Sequence, residues 1–131
     1  MTNSTPHVPV SWGELLDKVT ILQIKRERLS NETALGNVGR ELEALLVFAA
    51  PVLAGDAEVR GLMAGLKSVN EGLWDIEDRI RAKEAARTFD AEFVELARSV
   101  YKRNDERAAL KKQLNLKLAS ELVEEKSYKP Y

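Results

Sequence analysis

The sequence predicts an all-α protein: an antiparallel helical bundle built on a long hairpin of its third and fourth helices, with two shorter N-terminal helices. Three observations carry that expectation. Val59, Leu62, Leu66, Val69, Leu73, Ile76 and Ile80 recur at spacings of three and four without a slip, the signature of one buried helix face. Cap residues stand where the periodic segments begin, at Ser11, Asp56 and Asp90. No segment alternates with the period of two that a half-buried strand requires, and there is no internal repeat or long linker.

Residues 1–10 read as a flexible N-terminal arm and residues 11–131 as a single helical-bundle domain. Ser11-Trp12-Gly13-Glu14 is a capping box, in which the serine hydroxyl accepts from the N3 amide and the glutamate reaches back to the serine amide. Helix 1 begins there. At about 100° per residue, Trp12, Leu15, Leu16, Val19, Leu22 and Leu29 form one stripe, and Ile21 with Ile24 a second, smaller patch. A helix with two apolar faces touches two partners.

Ser30 and Asn31 mark a turn. Leu35, Val38, Leu42, Leu45, Ala49 and Val52 then define helix 2, which is expected to be short because Pro51 removes an amide donor. Ala54-Gly55-Asp56 is the next turn, with Asp56 as N-cap of helix 3. Gly61, Gly65 and Gly72 interrupt that helix, each costing about 1 kcal/mol against alanine. A Gly61-x-x-x-Gly65 spacing implies close approach of another helix, or a local bend. Thr88-Phe89-Asp90 caps helix 4, which runs to about Ala119 with Phe93, Leu96, Ala97, Val100, Ala108, Leu114 and Leu118 inward. Ser120 can cap a final short turn through Leu122 and Val123, and Tyr128 and Tyr131 make the charged tail either a docking segment for a partner or, the reading two aromatics in so short a tail favour, a strap over the bundle.

Composition removes whole classes of function. Twenty Lys and Arg against twenty-one Asp and Glu give a net charge of −1, with no basic excess to neutralise a nucleic-acid backbone. With no cysteine and one histidine, His7, in a proline-flanked segment, there is no disulfide, thiolate zinc site or two-histidine metal site, and a serine triad has no partner outside that arm. No metal or cofactor is called for. The longest apolar run, from Ala44 to Ala54, is too short to span a bilayer and is split by Pro51. Nothing resembles a signal peptide, and a cytoplasmic location is expected.

One placement of charge stands out. In helix 4 the apolar stripe is occupied by Asn104, Arg107 and Lys111, with Asn115 alongside. In helix 3, Asn70, Glu77 and Arg81 run beside Trp74, and in helix 1 Arg26 falls between Leu22 and Leu29. If these stretches meet, Arg26, Arg81, Arg107 and Lys111 surround Glu77 in a polar seam. Buried charge costs several kcal/mol unless paired. The seam is then either a set of internal ion pairs that fixes helix register, or a pocket for a small carboxylate or phosphate compound, whose oxygens arginine forks fit well. Trp12 and Trp74 are expected in the core.

Four stretches together carry a resemblance: Ser11-Trp12-Gly13-Glu14-Leu15-Leu16-Asp17-Lys18; Val69-Asn70 with Leu73-Trp74-x-Ile76-Glu77; Glu95-Leu96-Ala97-Arg98-Ser99-Val100-Tyr101 continuing to Asn104-Asp105-x-Arg107; and Glu124-Glu125-Lys126-Ser127-Tyr128. The set resembles a small bacterial family of stand-alone domains of unknown function, some of whose relatives accompany glycosyltransferase and surface-polysaccharide proteins. The family pattern favours Glu where this chain has Gln23. The resemblance implies a helical domain with no stated chemistry, and four of its positions, Asn70, Glu77, Asn104 and Arg107, fall on the seam. A second, weaker likeness is to the all-helical chorismate mutases, carried by Leu73 to Ile80 and the inward basic residues, although helix 1 lacks their matching pattern.

Taken together, the sequence leads to an accessory or scaffolding protein that binds through helix faces. The patch of Ile21 and Ile24 and the glycine groove give a homodimer as the expected assembly, with a protein partner possible. A small-anion binding module is the alternative, and an enzyme the least favoured reading.

Overall fold

The computed structural model describes residues 4–131. Among them there are four helices and no strand: α1 (Trp12–Arg28), α2 (Glu32–Gly55), α3 (Ala57–Ala85) and α4 (Ala91–Lys117). Residues 4–10 are exposed and carry no regular structure, and the first three residues of the expected arm lie outside the described residues.

Each helix starts on an oxygen that accepts from its first-turn amides. Ser11 Oγ accepts from the Glu14 amide, Asn31 Oδ1 from Ala34, Asp56 Oδ1 from Glu58 and Val59, and Asp90 Oδ1 from Phe93. These bonds satisfy donors that the helix itself leaves orphaned. The two long helices stop differently from what their sequence announces. At the end of α3 the Thr88 amide donates to Lys83 O and the Arg87 amide to Glu84 O; at the end of α4 the Ser120 amide donates to Asn115 O and the Ala119 amide to Leu116 O. Both ends are Schellman motifs, and the residues in the left-handed position, Arg87 (φ 52°) and Ala119 (φ 51°), are not glycine.

α2 departs from expectation. It does not stop near Pro51 but continues to Gly55, so it is 24 residues long and longer than the 17-residue α1. Pro51 lies on the exposed side of the helix, where the carbonyl it leaves without a helical donor, that of Val47, can turn to water. Ser120 likewise starts no further helix: its hydroxyl donates to Leu122 O, and residues 122–131 carry no regular structure.

α1 is the centre of the bundle. It contacts every other helix, α3 and α4 pack most extensively on each other, and α2 lies on α1 and the edge of α3 without touching α4. Leu16, Val19, Leu22, Leu42, Val59, Leu66 and Leu114 form the core. Fully burying one such side chain stabilises by about 1.5–3 kcal/mol. α3, at 29 residues, is about 43 Å long against about 25 Å for α1, so the hairpin outruns the helix that covers it. Between residues 71 and 110 only Leu96 is buried, with Ile76, Ile80 and Phe93 half-buried and Ala97 exposed rather than inward. Arg79 and Lys83 on α3 reach Glu92 at the start of α4, and Lys83 also reaches Asp90.

Close helix approach occurs at a glycine other than the expected pair. A Cβ on Gly13 would stand 2.5 Å from Lys111 O and 3.0 Å from Asn115 Oδ1. α1 therefore meets α4 backbone to backbone at Gly13. Gly61 faces open space, and a Cβ on Gly65 would make only an ordinary contact with Leu110, so no Gly61–Gly65 groove receives a helix within the chain.

Candidate functional site

The polar cluster is assembled where α1, α3 and α4 meet. On α1, Gly13, Asp17, Thr20 and Ile24 follow one another at four, three and four residues, so they share a face, and all four are buried. Asp17 is 1% exposed. Its carboxylate is engaged by three donors: Arg107 Nε at 2.9 Å and Asn70 Nδ2 at 2.9 Å on Oδ1, and Arg107 Nη2 on Oδ2. Asn70 Nδ2 also donates to Thr20 Oγ1, which in turn donates to Asp17 O. Three helices are thus tied by one fork-on-carboxylate pair and one amide, the geometry that makes a buried charge tolerable. The hydrogen bonds that Arg107 donates to Asp17 raise the Arg107 pKa against the opposing effect of burial, so this guanidinium is permanently charged.

A turn further along α4, Lys111 is buried, and its ammonium is 2.8 Å from both Glu14 and Glu124. Burial alone would depress its pKa; the hydrogen bonds it donates to Glu124 and Glu14 outweigh that and raise it. Glu14 therefore does not close the capping box by reaching back to Ser11. The α1 amides are capped from elsewhere: Gly13 donates to Asn115 Oδ1 at 2.7 Å and Trp12 to Ser120 Oγ at 3.3 Å. The Schellman turn at Ala119 sets Ser120 there. Downstream of it the tail returns along α4, with Glu124 on Lys111 and the Tyr131 ring 5.0 Å from that of Tyr101, as a strap would.

The expected seam forms only in part. Asn70, Arg107 and Lys111 converge, but on Asp17, Glu14 and Glu124 rather than on Glu77. Glu77 and Arg81 pair with each other at 3.2 Å, and although neither reaches Asp17, both line the cleft beside the cluster together with Asn70 and Arg107. Arg26 is exposed and joins neither network, and Asn104 is half-buried and takes no part. The surplus of positive charge around one carboxylate is absent: Asp17, Glu14 and Glu124 meet Arg107, Lys111 and Lys126, three carboxylates to three cations. Nothing on the main apolar stripe, which passes through Leu16 and Val19, marks Asp17 as an inward residue. The second face supplied the missing signal, since stepping back from Ile24 by four, three and four gives Thr20, Asp17 and Gly13.

Beside the cluster lies an open cleft of about 390 Å³. Ile21 and Ile24 of α1 with Leu73 and Trp74 of α3 supply apolar wall; Glu77, Asp78, Arg81 and Arg107 supply charge. Ile24 is 1% exposed, so the outward patch expected from Ile21 and Ile24 is instead an inner wall. Trp74 is half-buried rather than core, with the Arg28 guanidinium 5.8 Å from its ring centroid. Trp12 is also half-buried and lines a shallow pocket with Pro9, Val10 and Leu122 at the bundle end. Two polar atoms at the cleft have no partner among the described residues: Asn70 Oδ1 and Arg107 Nη1. Neither is sealed from solvent, since among the described residues no buried side-chain polar atom lacks a partner. Asn70 itself is only 6% exposed, so its free acceptor opens through the cleft.

Fold and site together define an all-α four-helix domain with an internally neutralised polar cluster and a small amphipathic cleft. Residues 6–131 match the family described as a family of unknown function, DUF6165, and the chain belongs to that family. No curated protein and no solved structure matches it significantly. No helix among the described residues is long and apolar enough to cross a membrane.

Proposed function

We propose that this protein is an accessory interaction module of the cytoplasm whose cleft between α1, α3 and α4 seats an apolar segment of another protein. The observation that carries this reading is the combination at the cleft of an apolar wall, Ile21, Leu73 and Trp74, with one free acceptor, Asn70 Oδ1, and one free donor group, Arg107 Nη1. An adjacent donor and acceptor match an amide or carboxylate on an otherwise apolar segment, and buried aromatic and arginine side chains are the commonest anchors of protein interfaces. The pairing of Lys111 and of one edge of Arg107 within the chain weighs against a pocket built around free positive charge. The resemblance to relatives that accompany glycosyltransferase and surface-polysaccharide proteins makes such proteins the first partners to try.

Panning a library of helix-forming peptides on the immobilised chain, followed by calorimetric titration, tests this. Enriched peptides should carry apolar residues at three and four spacing with a carboxylate or amide among them, and should lose at least tenfold in affinity on Trp74→Ala with helicity unchanged. Absence of enrichment, or equal binding to the Trp74→Ala chain, overturns it.

A small-anion site is the second reading, favoured by the spare donors of Arg107 and the nearness of Arg81 at the same cleft. Titration with acetate, citrate and inorganic phosphate would then move the Arg107 and Asn70 side-chain resonances and raise the melting temperature. Unmoved resonances at millimolar concentrations remove it.

A further inference from the structure

The second half of α2 is a distinct feature of the molecule, independent of the cleft. From Ala44 to Gly55 there is no charged or hydrogen-bonding side chain. A helix apolar all round is expected to be covered all round, yet α2 packs on α1 and the edge of α3 and has no contact with α4. Leu45, Leu46, Ala49, Val52 and Leu53 face the bundle, buried or half-buried. Ala44, Val47, Phe48, Ala50, Pro51 and Ala54 face outward, with Val47 70% and Phe48 59% exposed. Ala44, Val47, Phe48 and Pro51 are spaced at three, four and seven, so the outward side is itself a continuous helical stripe.

From this geometry we infer that the outer face of α2 is where a second copy of this chain docks, the two α2 helices lying antiparallel about a two-fold axis near Val47 and Phe48. A two-fold interface must be self-complementary, because each patch meets its own copy. An uncharged stripe meets that condition, and the charges at its two ends match when the helices run in opposite directions. Glu43 stands just before the stripe. Arg60 is held just past its end, donating to Leu53 O at 2.6 Å and to Ala54 O. Their neighbours are already paired, Glu41 with Lys18 and Glu58 with Lys117, whereas Glu43 and Arg60 have no ion-pair partner among the described residues. Antiparallel packing brings Glu43 of each copy toward Arg60 of the other. The charged part of α2 is Glu32, Arg40, Glu41 and Glu43, so no row of basic residues flanks the stripe as attraction to an anionic lipid surface would require. Specific interfaces bury at least about 1,000 Å² in total; a single helix pair is at the low end of that range, where transient contacts lie, so micromolar and higher concentrations are the ones to test.

Sedimentation velocity of the full chain from about 1 to about 500 µM spans that range. The mass should climb from 14.7 kDa toward twice that value. Phe48→Glu, at an exposed position, should stay at one chain throughout with unchanged helicity. Glu43→Arg should weaken association at least fivefold, and the double change Glu43→Arg with Arg60→Glu should restore it. A single-chain mass at every concentration overturns the inference, as does a dimer that persists undiminished in Phe48→Glu, which would place the interface elsewhere. Failure of the charge swap to restore association overturns the antiparallel arrangement. A monomer that co-sediments with phosphatidylglycerol vesicles through Phe48 would make the occupant a membrane instead.

Discussion

Asp17 and Arg107 show how one residue pair can decide an architecture. A carboxylate that is 1% exposed is held by a forked guanidinium and an amide from two different helices. The pair need not add net stability, since taking two charges out of water offsets most of their attraction. What it does is penalise every packing in which the two fail to meet. Breaking it is therefore expensive. Arg107→Ala leaves a buried, uncompensated carboxylate and is expected to cost about 3–5 kcal/mol in urea denaturation, with Arg107→Lys costing less but not restoring the forked contact. A loss under about 1 kcal/mol would mean that Asp17 finds water or another donor. Gly13 acts beside it in a different way: hydrogen is the only side chain that fits against Lys111 O, and that approach brings Asn115 onto the Gly13 amide.

At the scale of elements, caps and stops were unequally visible. Ser11, Asn31, Asp56 and Asp90 are residue types that cap helices wherever they precede an apolar periodic run, and all four do so. The stops of α3 and α4 are Schellman turns whose left-handed residues are Arg87 and Ala119, where glycine is the usual signal. Holding a residue with a Cβ there costs roughly 1 kcal/mol. Arg87→Gly lies at an exposed position in the hairpin turn and is expected to raise stability by about 0.5–1 kcal/mol in denaturant unfolding; a destabilised variant would show that the Arg87 side chain contributes more than its backbone costs. The length of α2 was hidden for the opposite reason. Pro51 is a strong breaker when its ring and missing donor face packed chain, but on the solvent side of α2 the cost is met by water.

The whole molecule is a hairpin stitched to α1 at one end and free at the other, with the C-terminal tail laid back along α4. The attachment of the tail depends on pH. Glu124 is held below its usual 4.5, first by its hydrogen bond with Lys111. A carboxyl depressed in the folded state contributes stability that is present above 4.5 and lost as pH falls through its folded value. The tail contact should thus persist at neutral pH and release in acid. Amide exchange near Glu124 and the nuclear Overhauser contacts between the Tyr101 and Tyr131 rings report it. Both should stay unchanged from neutral pH down to 4.5 and show release only below it, as pH falls through the depressed Glu124 value, while helicity stays, and Glu124→Gln should release the tail at every pH.

What the sequence determined by itself is the class and order of the elements. Periodicity and capping are local, and the 3.6-residue repeat of α3 survives any arrangement of its neighbours. The three-helix meeting of polar residues was legible in Asn70, Arg107 and Lys111, because polar side chains interrupt apolar stripes only where something inside answers them. Which carboxylates answer was decided by tertiary structure alone. Asp17, Glu14 and Glu124 are 90, 97 and 13 positions from their cations, and helical spacing fixes angles about one axis, not which axis lies opposite. The same reason moved Ile24 from surface to interior and left the apolar back of α2 uncovered.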